Sequence, residues 1–243
     1  MKSTNKTDVG RTRAVNEDRA VVQTELNGYT LAIVADGMGG HQAGDIASQI
    51  TIETIQESLH TLEAGMSVEE CEMTIREAIY LANAKIFQLA SENDKYAGMG
   101  TTVVVALATD ELILIAHIGD SRAYKFSGES MMQLTEDHSL VNELVKSGQI
   151  SPEEAEQHPR RNLLTRALGT EEYVTIEIHH HEWDQHDVLM LCSDGLSSLV
   201  KQENMIQILK KDQDLDLTAS ELIEHALEAG GDDNITVVLL MNE

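Results

Sequence analysis

The sequence contains only two cysteines, Cys71 and Cys192, which lie far apart in apolar surroundings. Two such residues cannot build the disulfide framework of a small secreted domain, and the C-x-x-C spacing of zinc sites is absent. Neither begins the C-x₅-R loop of cysteine-dependent phosphatases, because Glu77 and Ser198 stand where the arginine would be. We therefore interpret both cysteines as small buried hydrophobic residues.

Aromatic residues are also scarce, at 3% of 243 residues, whereas hydrophobic residues make up 42%. The core must therefore consist of Ile, Leu, Val, Ala and Met, in an amount that excludes a disordered chain. No apolar run approaches the roughly 18 residues of a membrane span, and the first residues lack the apolar segment of a signal peptide. We expect a cytoplasmic protein in which residues 1–243 form a single domain.

Basic residues are few, with 17 lysines and arginines against 42 aspartates and glutamates, for a formal net charge of −25. Such a surface repels phosphate backbones and anionic lipid, which argues against nucleic acid and membrane surfaces as partners. A solvated acidic exterior and a set of carboxylates around cations are both compatible with this charge. The positions of individual acidic residues must decide between them.

The order of the secondary-structure patterns predicts an α+β fold. Strands at 20–26 and 29–36 are joined by Asn27-Gly28, a dipeptide typical of tight hairpin turns. Two helices follow, at 44–62 and 68–91. Further strands are expected at 101–108, 112–118, 121–126, 173–182, 187–193 and 235–241, and further helices at 202–211 and 217–229. Because strands and helices come in blocks, a layered α+β domain is favoured over a regular βαβ repeat.

Six acidic residues share one position in this pattern, directly before or after an apolar strand. They are Glu17, Asp18, Asp36, Asp120, Asp194 and Asp233. Carboxylates that meet at one sheet edge repel each other by about 4 kcal/mol per pair at about 4 Å and an effective dielectric constant of roughly 20. Divalent cations relieve this repulsion, and all-oxygen ligands suit Mg²⁺ or Mn²⁺ better than zinc. A single Asp-Gly pair is also a common turn, so the prediction rests on the whole set.

A basic group accompanies these carboxylates. Arg13 lies four and five residues before Glu17 and Asp18, and its guanidinium could hold two phosphate oxygens. The glycines at 37–40 do not complete a G-x-G-x-x-G motif, and neither a G-x-x-x-x-G-K-[ST] phosphate loop nor a D-x-D loop occurs. With no evident nucleophile, the remaining chemistry is a metal-activated water.

Eight ordered segments of the chain carry a family resemblance. They are TDVGRTRAVNEDR (7–19), VADGMGGHQAGDIAS (34–48), GMGTT (98–102), IGDSRAY (118–124), LTEDHS (134–139), LLTRALG (163–169), LCSDGL (191–196) and GGDDNITV (230–237). In these segments the chain resembles the bacterial branch of the metal-dependent type 2C (PPM) Ser/Thr protein phosphatases, over nearly its whole length. The resemblance implies two antiparallel β-sheets sandwiched between pairs of α-helices, with metals in a cleft at one edge.

The resemblance also implies roles for single residues. Asp36 would bridge two metals, and Gly37 would offer its backbone carbonyl to one of them. Asp194 and Asp233 would complete the ligands of the other ion, and Asp18, with Glu17 beside it, would hold the second metal directly or through waters.

Asp120 would help to bind a third, weaker metal together with Asp194, and Arg13 would bind the phosphate. His41 could protonate the leaving oxygen, or it could only support the ligands or the start of the helix.

The implied activity is hydrolysis of phosphoserine and phosphothreonine by in-line attack of a metal-bridging water, with Mn²⁺ or Mg²⁺ as cofactor. The implied partners are phosphorylated proteins, among them a Ser/Thr kinase and its substrates, and we expect a monomer. A variable flap at about 145–166 would lie beside the cleft. Two alternatives stay open: a phosphatase dedicated to one small regulatory phosphoprotein, and a metal-dependent binding protein without turnover.

Overall fold

The computed structural model describes residues 1–39 and 43–243, which form eleven strands and seven α-helices. The strands are β1 (Lys2–Asp8), β2 (Asp18–Leu26), β3 (Tyr29–Met38), β4 (Gly100–Thr101), β5 (Val103–Ala108), β6 (Leu112–Ile118), β7 (Arg122–Ser127), β8 (Ser130–Gln133), β9 (Glu177–Glu182), β10 (Val188–Cys192) and β11 (Ile235–Met241). The helices are α1 (Ala43–Leu59), α2 (Val68–Glu92), α3 (Leu140–Lys146), α4 (Pro152–Glu156), α5 (Asp194–Ser197), α6 (Gln202–Leu209) and α7 (Leu215–Glu228).

The strands pair into two sheets. The first has the order β1-β11-β10-β7-β8 and the second the order β2-β3-β5-β6-β9, with the short β4 paired to β3. All of these pairings are antiparallel. Because β1 pairs with β11, segments from the two ends of the chain lie side by side, and the amide of Arg11 donates to the carbonyl of Gly231 at 2.7 Å.

The two sheets pack face to face, and helices cover their outer faces. In β3, Ala32 and Val34 face the other sheet, whereas Leu31, Ile33 and Ala35 face the helices. This alternation follows from the two-residue period of a strand, and it explains why the whole run is apolar.

Each sheet thus has one helix pair on its outside. Helices α1 and α2 share a buried cluster with the second sheet, and α6 and α7 share one with the first. The predicted fold, two antiparallel sheets between helix pairs, is confirmed.

Local sequence signals account for several of the turns and helix ends. Asn27 and Gly28 both have positive φ, at 50° and 93°, as a tight hairpin turn requires. Ser67 caps α2: its hydroxyl accepts the amide of Glu70 at 3.2 Å, and the Glu70 carboxylate accepts the amide of Ser67 at 2.8 Å. This reciprocal pair is a capping box.

Several elements differ from the sequence-based expectation, among them strand β8, which was not predicted. Strand β1 was not predicted, because KSTNKTD is polar and joins a sheet only through its pairing with β11. Strand β9 begins at Glu177 rather than near residue 173. Asp194 does not simply close a strand: it opens the four-residue helix α5. Within 1–39 and 43–243, no helix is both long and apolar enough to cross a membrane.

Candidate active site

Asp18 and Asp36 form the centre of an acidic cluster. They lie directly opposite each other in the β2/β3 pair, where like charges are unfavourable. Asp18 is fully buried. Burial, above all, raises its pKa to about 7, and the charges of Asp194 and Asp233 add to this. The pKa of Asp36 is raised well above its usual value by burial and by the charges of Asp18, Asp194, Asp120 and Asp233.

The other sheet brings Asp194 and Asp233 to the same place. Asp194 follows β10 at the start of α5, and Asp233 stands two residues before β11, the neighbouring strand. Burial raises the pKa of Asp194 to about 6, and the charge of Asp233 contributes. Carboxylates from both sheets therefore converge where the sandwich ends.

Asp120 joins the cluster from the turn between β6 and β7. Its pKa is raised to about 7 by burial and by the charges of Asp194 and Asp137, whereas Arg122 lowers it. Arg122 is itself tied to Asp137 by two hydrogen bonds, of 2.8 and 2.7 Å, so its charge is largely shared with that carboxylate. The structure thus brings together the five aspartates that the sequence singled out.

Two of these carboxylates each leave one buried oxygen without a partner. Oδ1 of Asp18 and Oδ1 of Asp194 have no hydrogen-bond donor among the described residues. An unpaired buried carboxylate oxygen is costly. Oxygen atoms of this kind, in a cluster of mutually repelling carboxylates, suit hard divalent cations such as Mg²⁺ or Mn²⁺. The residues present therefore fit the expected metals.

Threonines that the sequence reasoning did not single out hold the backbone of Asp36. The carbonyl of Asp36 accepts from the Thr101 hydroxyl and the Thr102 amide, both at 2.8 Å. The Asp36 amide donates to Thr102 Oγ1 at 3.1 Å, and that hydroxyl also pairs with Ser121 at 2.7 Å. The GMGTT segment, noted only as part of the resemblance, therefore fixes the central aspartate and ties it to the turn of Asp120.

Asn234 holds the backbone of the N-terminal segment by hydrogen bonds in a similar way. Its side chain accepts the amide of Glu17 at 2.8 Å and donates to the carbonyls of Val9 and Val15 at 2.9 and 3.0 Å. A buried amide with donors and acceptors in use is a precise positioning element. The residue after Asp233 therefore anchors the loop that carries Arg13, Glu17 and Asp18.

Gly37 permits a close approach of α1 to the site. A Cβ on Gly37 would overlap the carbonyl oxygen of Gly44, and a Cβ on Gly44 would meet the backbone of Gly37 in turn. The start of α1 can therefore lie against the strand end only because both residues are glycines. The predicted use of the Gly37 carbonyl as a metal ligand stays a prediction.

Glu17 and Arg13 border the cluster. The pKa of Glu17 is raised by burial, while the backbone amides of Asp45 and Gly44 at the start of α1 oppose this. Arg13 is half exposed, and its Nη2 donates to Asp233 Oδ2 at 2.7 Å. The guanidinium therefore lies at the mouth of the acidic cluster, as a phosphate-binding group should. His41 lies outside the described residues, so its predicted role stays a prediction.

A cavity of about 1060 Å³ runs from the cluster toward the segment at 145–166. Asp120 and Asp194 line one part of it, and Pro152, Arg161 and Asn162 from the segment at 145–166 line another. A peptide chain could lie in a groove of this size while one of its side chains reaches the acidic cluster.

Comparison with known proteins agrees with this architecture. The profile of the family described as protein phosphatase 2C matches residues 10–228. The serine/threonine phosphatase stp of Listeria monocytogenes is 42% identical over 235 residues, which cover 97% of this chain and 93% of that protein.

Solved structures agree as well. The S. agalactiae serine/threonine phosphatase superposes with a TM-score of 0.95 at 36% identity, covering 100% of this chain and 99% of that one. The catalytic domain of the serine/threonine protein phosphatase PstP, solved with two manganese ions, gives a TM-score of 0.84 at 33% identity, covering 98% of this chain and 96% of that one. The matched residues and the shared fold show that the chain belongs to the protein phosphatase 2C family.

Proposed function

We propose that the chain is a metal-dependent protein Ser/Thr phosphatase. The observation that supports this most is the convergence of Asp18, Asp36, Asp120, Asp194 and Asp233, in which burial and neighbouring carboxylates raise the pKa values of the first four. A purely structural cluster would be neutralised by lysine or arginine. Here Arg122 is tied to Asp137, and Arg13 is half exposed at the edge of the cluster. A metal-dependent binding protein without turnover would need the same cluster, so hydrolysis itself distinguishes the two functions.

The carboxylates of the cluster have different proposed roles in metal binding. Asp36 would contact two cations. The Gly37 carbonyl would bind one of them, and Asp194 and Asp233 would complete the ligands of the other. Asp18, with Glu17 beside it, would hold the second metal directly or through waters. When bound, Mn²⁺ or Mg²⁺ lowers the pKa of a coordinated water and so supplies hydroxide near neutral pH. We assign no preference between the two metals.

The chain's own groups orient the substrate. Arg13 can exchange its bond with Asp233 for two phosphoryl oxygens, which places the phosphorus for in-line attack. The fixed carboxylates and Arg13 are already in place before charge spreads over the phosphoryl oxygens, so little reorganisation is needed. His41 stays our candidate for the group that protonates the leaving oxygen.

We further propose that residues 1–243 act as one catalytic domain, with 145–166 as a flap on the substrate groove. The substrates would be phosphoserine and phosphothreonine proteins, among them a Ser/Thr kinase and its targets. We also propose that the protein is monomeric and cytoplasmic. Its low content of basic residues supports the view that it avoids nucleic acid and anionic membranes.

The test is hydrolysis of a phosphothreonine protein in Mn²⁺, in Mg²⁺ and in EDTA, by the wild type and by Asp36→Ala. We expect turnover that needs the metal, disappears in the variant and survives both alkylation of Cys71 and Cys192 and okadaic-type inhibitors. Turnover in EDTA, or loss of turnover on alkylation, would overturn the proposal. Activity on one regulatory phosphoprotein alone would support the dedicated phosphatase instead.

A further inference from the structure

Two histidines and a glutamate form a buried group behind the turn of Asp120. Donor atoms of His117, His138 and Glu177 all lie within 4.8 Å of one another. The two rings stack, with centroids 4.7 Å apart and an interplanar angle of 18°. Arg166 Nη1 lies 3.0 Å from His138 Nε2 and 2.9 Å from Glu177 Oε1. A guanidinium charge this close to two of the three groups repels a cation, which argues against a metal site here.

The hydrogen bonds around His138 define its tautomer. The amide of Gly119 donates to Nδ1 at 3.1 Å, so Nδ1 carries no proton. The proton then belongs on Nε2, which lies 3.1 Å from the Glu177 carboxylate. Because Arg166 also donates to Glu177, that carboxylate is held in place to receive the Nε2 proton. This chain of bonds points Nδ1 at Gly119.

The backbone of His138 makes a second hydrogen bond to Gly119. The amide of His138 donates to the carbonyl of Gly119 at 2.9 Å. Gly119 has a φ of +105°, a conformation that favours glycine, and a Cβ there would crowd the side chain of Thr102. Thr102 in turn binds the backbone of Asp36 and the hydroxyl of Ser121.

The turn that carries Asp120 is therefore fixed from two sides. Thr102 packs against one side of Gly119 and links it to Asp36, and His138 holds the other. Rotation of the Gly119 peptide would redirect the residue that follows it, which is Asp120. Without the Nδ1 bond, the Gly119 amide would also be left buried and unpaired.

We propose that His138 is a positioning residue, whose Nδ1 holds the amide of Gly119 and so aims the carboxylate of Asp120 at Asp194. This inference rests on the proposed function. Its consequence is specific: His138 supports the weakest cation, the one assigned to Asp120 and Asp194, and leaves the two cations at Asp36 largely unaffected.

Two conservative variants of His138 test the roles of its two ring nitrogens separately. In His138→Asn the amide oxygen replaces Nδ1 as acceptor for Gly119 but the Nε2 proton is lost. In His138→Gln the amide group reaches toward Glu177, and the acceptor for Gly119 is lost. Mn²⁺ binding to the full chain is measured by titration calorimetry, with Asp120→Asn as the reference and thermal unfolding as the check on folding.

We expect the weakest Mn²⁺ event to lose about 10-fold or more in affinity in His138→Gln, as losses of supporting hydrogen bonds at metal sites do. It should be abolished in Asp120→Asn and stay close to wild type in His138→Asn. Equal losses in both His138 variants, an unchanged His138→Gln, or no third event in the wild type would each overturn the inference. Absence of all Mn²⁺ binding in the wild type would instead overturn the proposed function.

A measurement on the wild type keeps the inference testable if His138→Gln does not fold. Nitrogen-15 NMR of labelled histidine reports which ring nitrogen carries the proton. We expect His138 to hold its proton on Nε2, with a slowly exchanging Gly119 amide. A proton on Nδ1 would show that Gly119 has no acceptor there and would refute the proposed link.

Discussion

Ser193 donates a 2.7 Å hydrogen bond from its hydroxyl to Oδ2 of Asp18. The two residues belong to different sheets, because Asp18 opens β2 and Ser193 follows β10. The same hydroxyl accepts the amide of Thr236 at 3.0 Å, on the strand next to β10. One oxygen of Asp18 is thereby fixed, and the other, without a donor among the described residues, is free to bind a cation.

Replacement of Ser193 by alanine should weaken both the fold and the metal site. The Thr236 amide loses its buried acceptor, which costs about 1–3 kcal/mol of the free energy of unfolding. Asp18 also loses the donor that orients it, so Mn²⁺ affinity should fall by about 10-fold or more. Urea unfolding and metal titration of activity measure the two effects.

Ser197→Ala is the matched control. Its hydroxyl lies in α5, four residues further on, and is buried with no hydrogen-bond partner in 1–39 or 43–243. Its removal should leave the Mn²⁺ dependence unchanged and should not destabilise the protein. If the two variants behaved alike, the Ser193–Asp18 bond would have no part in the metal site.

Substitution of the adjacent aspartates Asp232 and Asp233 should have very different effects on the activity of the protein. Asp233 raises the pKa of Asp194 and contacts Arg13, whereas Asp232 is exposed. Asp233→Asn should lower kcat/KM for a phosphothreonine peptide by more than about 100-fold, since loss of mere supporting bonds already costs about 10–100-fold. Asp232→Asn should stay within about threefold of wild type. A comparable loss in both would remove Asp233 from the site.

Arg13→Ala should impair recognition of the phosphoryl group. A charge-assisted hydrogen bond contributes about 1.5–3 kcal/mol, so kcat/KM should fall by about 10- to 150-fold. Arg13→Lys keeps the charge without the planar fork, and it should restore only part of the loss. Arg11→Ala changes the nearest other arginine and should have little effect. Steady-state kinetics of all three variants measure these differences in kcat/KM.

The stability of the metal-free protein should fall as pH rises. Asp18 and Asp120 have pKa values raised from 3.8 to about 7, and Asp194 from 3.8 to about 6, first of all by burial. The folded state therefore favours the protonated carboxyl groups. Their contribution to the free energy of unfolding is fully present below about pH 4 and is lost as the pH rises to about 7. The loss should be on the order of 2 kcal/mol or more in urea unfolding with EDTA.

The charge of Asp36 accounts for part of this loss. Asp36→Asn removes one of the repelling carboxylates, so its metal-free unfolding should depend less on pH and its stability near pH 7 should exceed that of wild type. Its activity should vanish at the same time, an exchange of stability for function. A metal-free wild type that became more stable between pH 4 and pH 7 would contradict the clustering of these charges.

The sequence predicted the acidic cluster well because its members share a local signal. A carboxylate at the end of an apolar strand can be seen without any knowledge of the fold, and the periodicity of β3 and α2 showed where strands and helices begin. The hairpin at Asn27-Gly28 was predictable because its conformation depends on a few neighbouring residues.

The supporting residues were not predictable in the same way. Thr102, Ser193 and Asn234 are ordinary polar residues in sequence, and their roles arise from partners 66, 175 and 217 positions away. Strand β1 was not predicted for the same reason: it is a strand mainly because it pairs with β11 at the other end of the chain. The one available signal was position: each of the three polar residues stands within one or two residues of a motif aspartate or at the end of its strand.

The most direct test of the account is an anomalous difference map from crystals grown with Mn²⁺. We predict peaks within about 2–2.5 Å of carboxylate oxygens of Asp36, one shared with Asp194 and Asp233 and the other on the side of Asp18. Crystals of active protein at saturating Mn²⁺ with no peak beside Asp36, or with manganese bound only elsewhere, would contradict it.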